Sequence, residues 1–134
     1  MRARLIALSD AARAALEGAE RPIERFPFRV GRESRTSSPA PWTRGERRVG
    51  DGSQVNDLYL VDEGELLNVS REHFLIEADG DRFFLADRGS VCGTIVGGRT
   101  VGGERRYERV EIHDDDVIVA GPETSPFVFK FRVG

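Results

Sequence analysis

Apolar and polar residues alternate along much of this chain with a period of two. The clearest case is Phe127-Val128-Phe129-Lys130-Phe131-Arg132-Val133, where Phe127, Phe129 and Phe131 share one face. This is the pattern of a strand with one face in a core and the other in water. From Pro22 to Val30, residues Ile23, Phe26, Phe28 and Val30 stand against Glu24, Arg25 and Arg29. That predicts one half-buried strand, irregular near Pro27. Further strands are predicted at Arg4–Leu8, Asn56–Val61, Phe74–Ala78, Arg82–Asp87, Thr94–Val96, Arg99–Val101 and Arg109–Ile112. Val117–Ala120 has no polar alternation and reads as a strand buried throughout.

Turn chemistry separates these runs. Asp79-Gly80-Asp81 and Gly97-Gly98 are hairpin signals, and His113-Asp114-Asp115-Asp116 reads as a charged turn. Asp62-Glu63-Gly64-Glu65 is another turn. Ser9 looks like a helix N-cap ahead of an alanine-rich segment, with Gly18 as a stop, so residues 10–17 read as a brief helix or simply a long connection. Residues 33–55 have no periodicity and collect Ser, Pro, Gly and Arg. They predict a long, loosely packed basic loop, with Trp42 read as its anchor on the domain in preference to a contact-surface residue. The sum is about ten to eleven short strands with almost no helix, which is the pattern of an all-β sandwich. Loops in such a fold gather at its two ends.

Composition narrows the picture. At 134 residues the chain is expected to form one domain, 1–134, with a core that needs no staples. No apolar run approaches the ~20 residues of a membrane span. The N-terminal stretch lacks the pattern of a secretion signal. A lone cysteine forms no internal disulfide, so a cytoplasmic setting is expected. Net charge of −3 argues against non-specific nucleic-acid binding. Lys130 is the only lysine, and the remaining cationic side chains are arginines. That bias fits either genome composition or the recognition of phosphate and carboxylate, which match the guanidinium fork.

Candidate chemistry concentrates in Asn68-Val69-Ser70-Arg71-Glu72-His73-Phe74, where a hydroxyl, a guanidinium and an imidazole precede an apolar run. Arg32 follows Gly31 where a strand gives way to a loop, with Gly31 read as easing the exit. Arg32, Ser70 and Arg71 at one loop end would surround a phosphate; each alone also fits a solvated or turn position. A nucleophile paired with His73, either Ser70 or Cys92, is the enzymatic alternative. A single cysteine in a glycine-rich turn reads as inert, and neither GxxxxGK[ST] nor GxSxG occurs. His113 with Asp114, Asp115 and Asp116 reads as a hairpin tip rather than a metal site. The chain reads as a binding module without catalytic residues, metal or cofactor.

Gly31-Arg32, then Ser70-Arg71-Glu72-His73, then Asp87 through Ser90 to Gly93-Thr94, in that order, resemble the signature of the forkhead-associated (FHA) domain. The resemblance runs from Leu5 to Val133. It implies an FHA-like β-sandwich with its binding loops at one end. It implies that Arg32, Ser70 and Arg71 contact phosphate, that Val91 and Cys92 line the phosphopeptide, and that Gly31, His73, Gly93 and Thr94 support the site. Asp87, Ser90, Gly98 and Asp116 match further positions of the family's pattern. The implied partner is a phosphothreonine-containing protein or peptide from a Ser/Thr kinase signalling pathway; a phosphate-independent interaction domain is the rival on the same fold. Two departures stand out. Cys92 occupies the family's usual Asn, whose amide grips the peptide backbone, and the connection after Arg32 is long.

Overall fold

The computed structural model describes residues 2–33, 56–62 and 67–134. The basic loop, Trp42 and most of the turn after Asp62 lie outside the described residues. Among the described residues, eleven strands form two sheets. They are β1 (Ala3–Ala7), β2 (Glu20–Ile23), β3 (Phe28–Arg32), β4 (Leu58–Leu60), β5 (Phe74–Asp79), β6 (Arg82–Arg88), β7 (Thr94–Val96), β8 (Arg99–Val101), β9 (Tyr107–Ile112), β10 (Val117–Ala120) and β11 (Val128–Val133). The first sheet has the order β2-β1-β11-β10-β7-β8, and the second β4-β3-β5-β6-β9. The β3–β4 pair is parallel.

The two sheets bury the alternating face that the sequence predicts. Leu5, Ile118, Phe129 and Phe131 come from the first sheet, and Val30, Phe74, Ile76 and Leu85 from the second; all are fully buried. Phe83 of β6 meets Phe131 of β11 across the interface, with ring centroids 5.3 Å apart in an edge-on arrangement. Phe84 points the other way and is still buried. The Arg109 guanidinium covers its ring at 3.8 Å and Arg82 at 5.2 Å, each arginine held by a glutamate.

The continuous strand predicted from Pro22 to Val30 is not one strand. Its halves, β2 and β3, lie in different sheets, and the chain crosses between them around Pro27. Both halves point apolar residues into the same core, so alternation survives the crossover and hides it. Val117–Ala120 is likewise not buried throughout: Ile118 and Ala120 face the core, and Val117 and Val119 are half-exposed. The predicted helix forms as α1 (Asp10–Leu16), with the Ser9 hydroxyl accepting from Ala12 N at 3.2 Å. Its C-cap is Glu17 in the left-handed region at φ 58°, one residue before the expected Gly18.

Strand register decides where the loops meet. Val30 pairs with Phe74, Phe74 with Asp87, and Arg88 with Tyr107. The end of β3, the start of β5, the end of β6 and the start of β9 therefore lie side by side at one end of the second sheet. Among the described residues no helix is long and apolar enough to cross a membrane.

Candidate functional site

A groove of about 490 Å³ opens at this end. Arg32, Leu67, Asn68, Val69, Ser70, Arg71 and Glu72 form one wall, and Arg88, Gly89, Val91, Cys92 and Arg105 the other. All five residues expected to contact a phosphopeptide are therefore together: Arg32, Ser70, Arg71, Val91 and Cys92.

The first wall is built around Gly31. A Cβ there would overlap the carbonyl oxygen of Arg71 and lie 2.6 Å from Asn56 Nδ2. The strand and the Ser70 loop are in backbone contact, which only glycine allows. The sequence reading assigned Gly31 to a tight chain exit; its φ is ordinary, and close approach is the reason for glycine. Arg32 N donates to Ser70 O at 2.9 Å, and Asn56 Nδ2 donates to Arg71 O at 2.7 Å. Asp62 Oδ2 accepts from the backbone N–H groups of Asn68 and Val69. These bonds hold the loop so that the Arg71 side chain is exposed at the groove.

The second wall is built around Asp87, which is fully buried. Its carboxylate accepts from Gly89 N, Ser90 N, Ser90 Oγ and Thr94 Oγ1, at 2.7–3.1 Å. Ser90 Oγ in turn accepts from Gly93 N at 2.9 Å. The turn from Gly89 to Thr94 is thereby set by polar contacts in the interior, where an unpaired donor would be costly.

His73 joins the walls. Its ring is fully buried. Nδ1 accepts from Ser70 N at 2.9 Å, and Nε2 donates to Gly93 O at 2.7 Å. A backbone N–H facing Nδ1 requires that nitrogen to be unprotonated, so the neutral Nε2–H tautomer is selected. Burial pushes the His73 pKa below its ordinary value and favours the same neutral form. Both ring nitrogens are occupied by backbone groups, so His73 activates neither Ser70 Oγ nor Cys92.

Ser70 Oγ accepts from Val91 N at 3.0 Å, across the groove. A hydroxyl that accepts one bond still has its O–H to donate. Cys92 is half-buried, its Sγ 3.8 Å from Leu67 O. Asp116, at the other end of the fold, accepts from His113 N at 2.8 Å and closes the acidic turn.

Three groups at this end were not singled out in the sequence. Arg88 donates to Asn56 Oδ1 at 2.6 Å and to Glu72 Oε1 at 3.0 Å. Burial lowers the Arg88 pKa, and Glu72 works against that effect. Asn56 is fully buried and bridges Arg88 to the Arg71 carbonyl. Arg105 reaches the groove from the β8–β9 connection. Each is an ordinary polar residue in its own stretch; only strand pairing puts it near Ser70.

Fold and groove define a class: an all-β sandwich whose loops at one end gather guanidinium groups around a serine hydroxyl. The FHA domain family model matches residues 42–121, and the chain belongs to the FHA domain family. These domains are protein-interaction modules. Solved structures agree on the fold. The FHA domain of the CT664 protein from Chlamydia trachomatis is 24% identical, with 100% of this chain and 99% of that one covered and a TM-score of 0.63. The kinase-interacting FHA domain of kinase associated protein phosphatase from Arabidopsis is 22% identical, with coverage of 98% and 92% and a TM-score of 0.62. Mycobacterium tuberculosis EmbR, solved in complex with a low affinity phosphopeptide, is 20% identical, with coverage of 99% and 24% and a TM-score of 0.58. A comparison with curated protein sequences found no match.

Proposed function

We propose that residues 1–134 act as one phosphothreonine-peptide-binding module, mediating phosphorylation-dependent protein–protein interaction in a Ser/Thr kinase pathway. The observation that carries this reading is the Ser70–Val91 bond across a groove that also holds Arg32 and Arg71. In this reading Ser70 Oγ gives its remaining proton to a phosphate oxygen, and Arg32 and Arg71 supply charged donors from the same wall. Such pairs suit a dianion better than any neutral side chain. Val91 and Cys92 line the peptide's path. Gly31, His73, Gly93 and Thr94 keep the walls in register. The occupied nitrogens of His73 support binding rather than catalysis. The phosphopeptide bound by EmbR and the kinase interaction of the Arabidopsis domain support the ligand class.

Titration calorimetry with a phosphothreonine peptide library and unphosphorylated controls tests the reading. Wild type should bind only the phosphorylated members. Charged hydrogen bonds contribute ~1.5–3 kcal/mol, so Arg32→Ala should weaken binding about ten- to hundredfold with the fold intact. Arg32→Lys should recover little, because a point charge lacks the fork. Equal affinity for both peptide forms would favour the phosphate-independent alternative.

A further inference from the structure

Among the described residues each sheet ends in two edge strands, β2 and β8 in the first and β4 and β9 in the second. Unpaired backbone on an edge is a template for another strand, and folds blunt it with shortness, proline or lysine. β4 and β8 have three residues each, and β2 carries Pro22. β9 has six residues, Tyr107-Glu108-Arg109-Val110-Glu111-Ile112, with neither proline nor lysine. The carboxylate on its core side, Glu108, is already taken by Gly102 N at 2.9 Å and Arg99 at 3.5 Å. β9 is the edge left open to pairing.

The ladder shows which backbone groups face out. Arg88 N donates to His73 O at 2.8 Å, so Arg88 turns its backbone groups toward β5. Direction alternates residue by residue in an antiparallel ladder. Asp87, Leu85 and Phe83 therefore bond β9, through their partners Glu108, Val110 and Ile112. Tyr107, Arg109 and Glu111 turn their N–H and C=O groups to the open edge. His113 N, next in that series, is occupied by Asp116 Oδ2.

A second copy that pairs here about a two-fold axis must bring outward groups to outward groups. Charge then selects the register. Centred on Arg109, the pairing sets that guanidinium against its own copy; centred on Glu111, it does the same with the carboxylate. Like charges directly opposite are destabilising. Centred on Glu108, only three residues of each strand overlap. Centred on Val110, it sets Arg109 opposite Glu111 of the partner subunit at two symmetric places, each a hydrogen-bonded pair. Within one copy Glu77 holds Arg109 at 3.0 Å and Arg82 holds Glu111 at 2.8 Å. The joint would extend both pairs into rows of alternating charge. Tyr107 would come opposite His113 of the partner subunit. Tyr107 is 80% exposed, more than any other large apolar residue described, and a cross-strand aromatic pair would cover it.

We propose that the β9 edge is a self-association surface that takes a second copy of this chain, antiparallel and in register about Val110, joining the two second sheets into one. The groove opens beside Tyr107, where β9 begins. An antiparallel joint sends the two grooves to opposite ends of the shared sheet and leaves both open. The proposal is therefore independent of the phosphopeptide reading.

Sedimentation velocity of the purified chain tests it, with loading from about 10 µM to about 1 mM, since an edge joint of this size belongs to the weak class of interfaces. Wild type should shift from monomer toward dimer across that range. Arg109→Glu and Glu111→Arg each place like charges opposite one another, and each alone should weaken dimerisation at least about tenfold. An equimolar mixture of the two variants restores opposite charges at both places and should dimerise about as tightly as wild type. Thermal melts establish that both variants are folded. Tyr107→Ser removes no core side chain, should weaken dimerisation about threefold, and tests the surface where a reversal fails to fold. Wild type that stays monomeric throughout overturns the proposal. So does a dimer that withstands the reversals or Tyr107→Ser, or a mixture of folded variants that associates no better than its components.

Discussion

Gly31 shows how one missing Cβ shapes the site. Its Cα faces the Arg71 carbonyl, which Asn56 Nδ2 also holds by a hydrogen bond. Gly31→Ala forces the new Cβ against the Arg71 backbone and the buried Asn56 amide. Overpacking of this kind costs about 1–3 kcal/mol, and we expect a destabilisation at the top of that range, read as a lower urea midpoint. A midpoint equal to wild type would mean that the Ser70 loop can retreat freely. Cys92 is the second informative residue. It lines the groove half-buried, with Leu67 O as its neighbour, so an amide placed there has both room and an acceptor. One neutral hydrogen bond nets ~0.5–1.5 kcal/mol. We therefore expect Cys92→Asn to bind a phosphothreonine peptide about three- to tenfold more tightly, with an unchanged melting temperature. A lower melting temperature instead would show the thiol packed as an apolar group that an amide cannot replace.

At the scale of the element, the Gly89–Thr94 turn is held by one buried carboxylate. Asp87 accepts from four donors, two of them backbone N–H groups. Asp87 also backs onto Gly102, where a Cβ would overlap the carboxyl group, so the same residue locates the β8–β9 connection. Asp87→Ala leaves buried donors without an acceptor, each costing ~1–3 kcal/mol. The expected loss is more than ~3 kcal/mol, a large share of a domain's usual stability, with binding lost alongside. Chemical denaturation followed by circular dichroism measures it. A loss below ~1 kcal/mol would show that the turn is held by something else. The hairpins need no such device, because Asp79-Gly80-Asp81 and Gly97-Gly98 carry their own turn chemistry.

At the scale of the molecule, His73 couples the binding end to pH. Burial lowers its pKa from the ordinary value of 6.5, so the unfolded chain takes up a proton that the folded chain resists. The stabilisation from neutral His73 is complete above about pH 6.5 and is lost as pH falls through the lowered folded value. A proton on Nδ1 would also oppose the Ser70 N–H and detach one wall from the other. The melting temperature of wild type should fall on acidification from neutral pH toward pH ~5. His73→Gln starts lower and should fall less over the same interval. Parallel curves would mean that folded His73 accepts the proton without penalty.

Turn residues and period-two alternation are local properties. Glycine, aspartate and asparagine act on their own φ and ψ, and a one-sided strand needs only its own side chains to declare its faces. For that reason the all-β class, the β5–β6 and β7–β8 hairpins, the Ser9 cap and the order of the Arg32, Ser70 and Gly93 motifs were legible in the sequence. The join of β2 to β3 was misread because alternation reports which face is apolar and is silent about which sheet a strand enters. Asn56, Arg88 and Arg105 had no local signal at all. Their placement depends on β3 pairing with β5, β5 with β6, and β6 with β9, and on the Asn56 bonds that span the chain between them. Contacts between residues so far apart follow from strand pairing within the second sheet, and tertiary structure alone decided which arginines share a groove with Ser70.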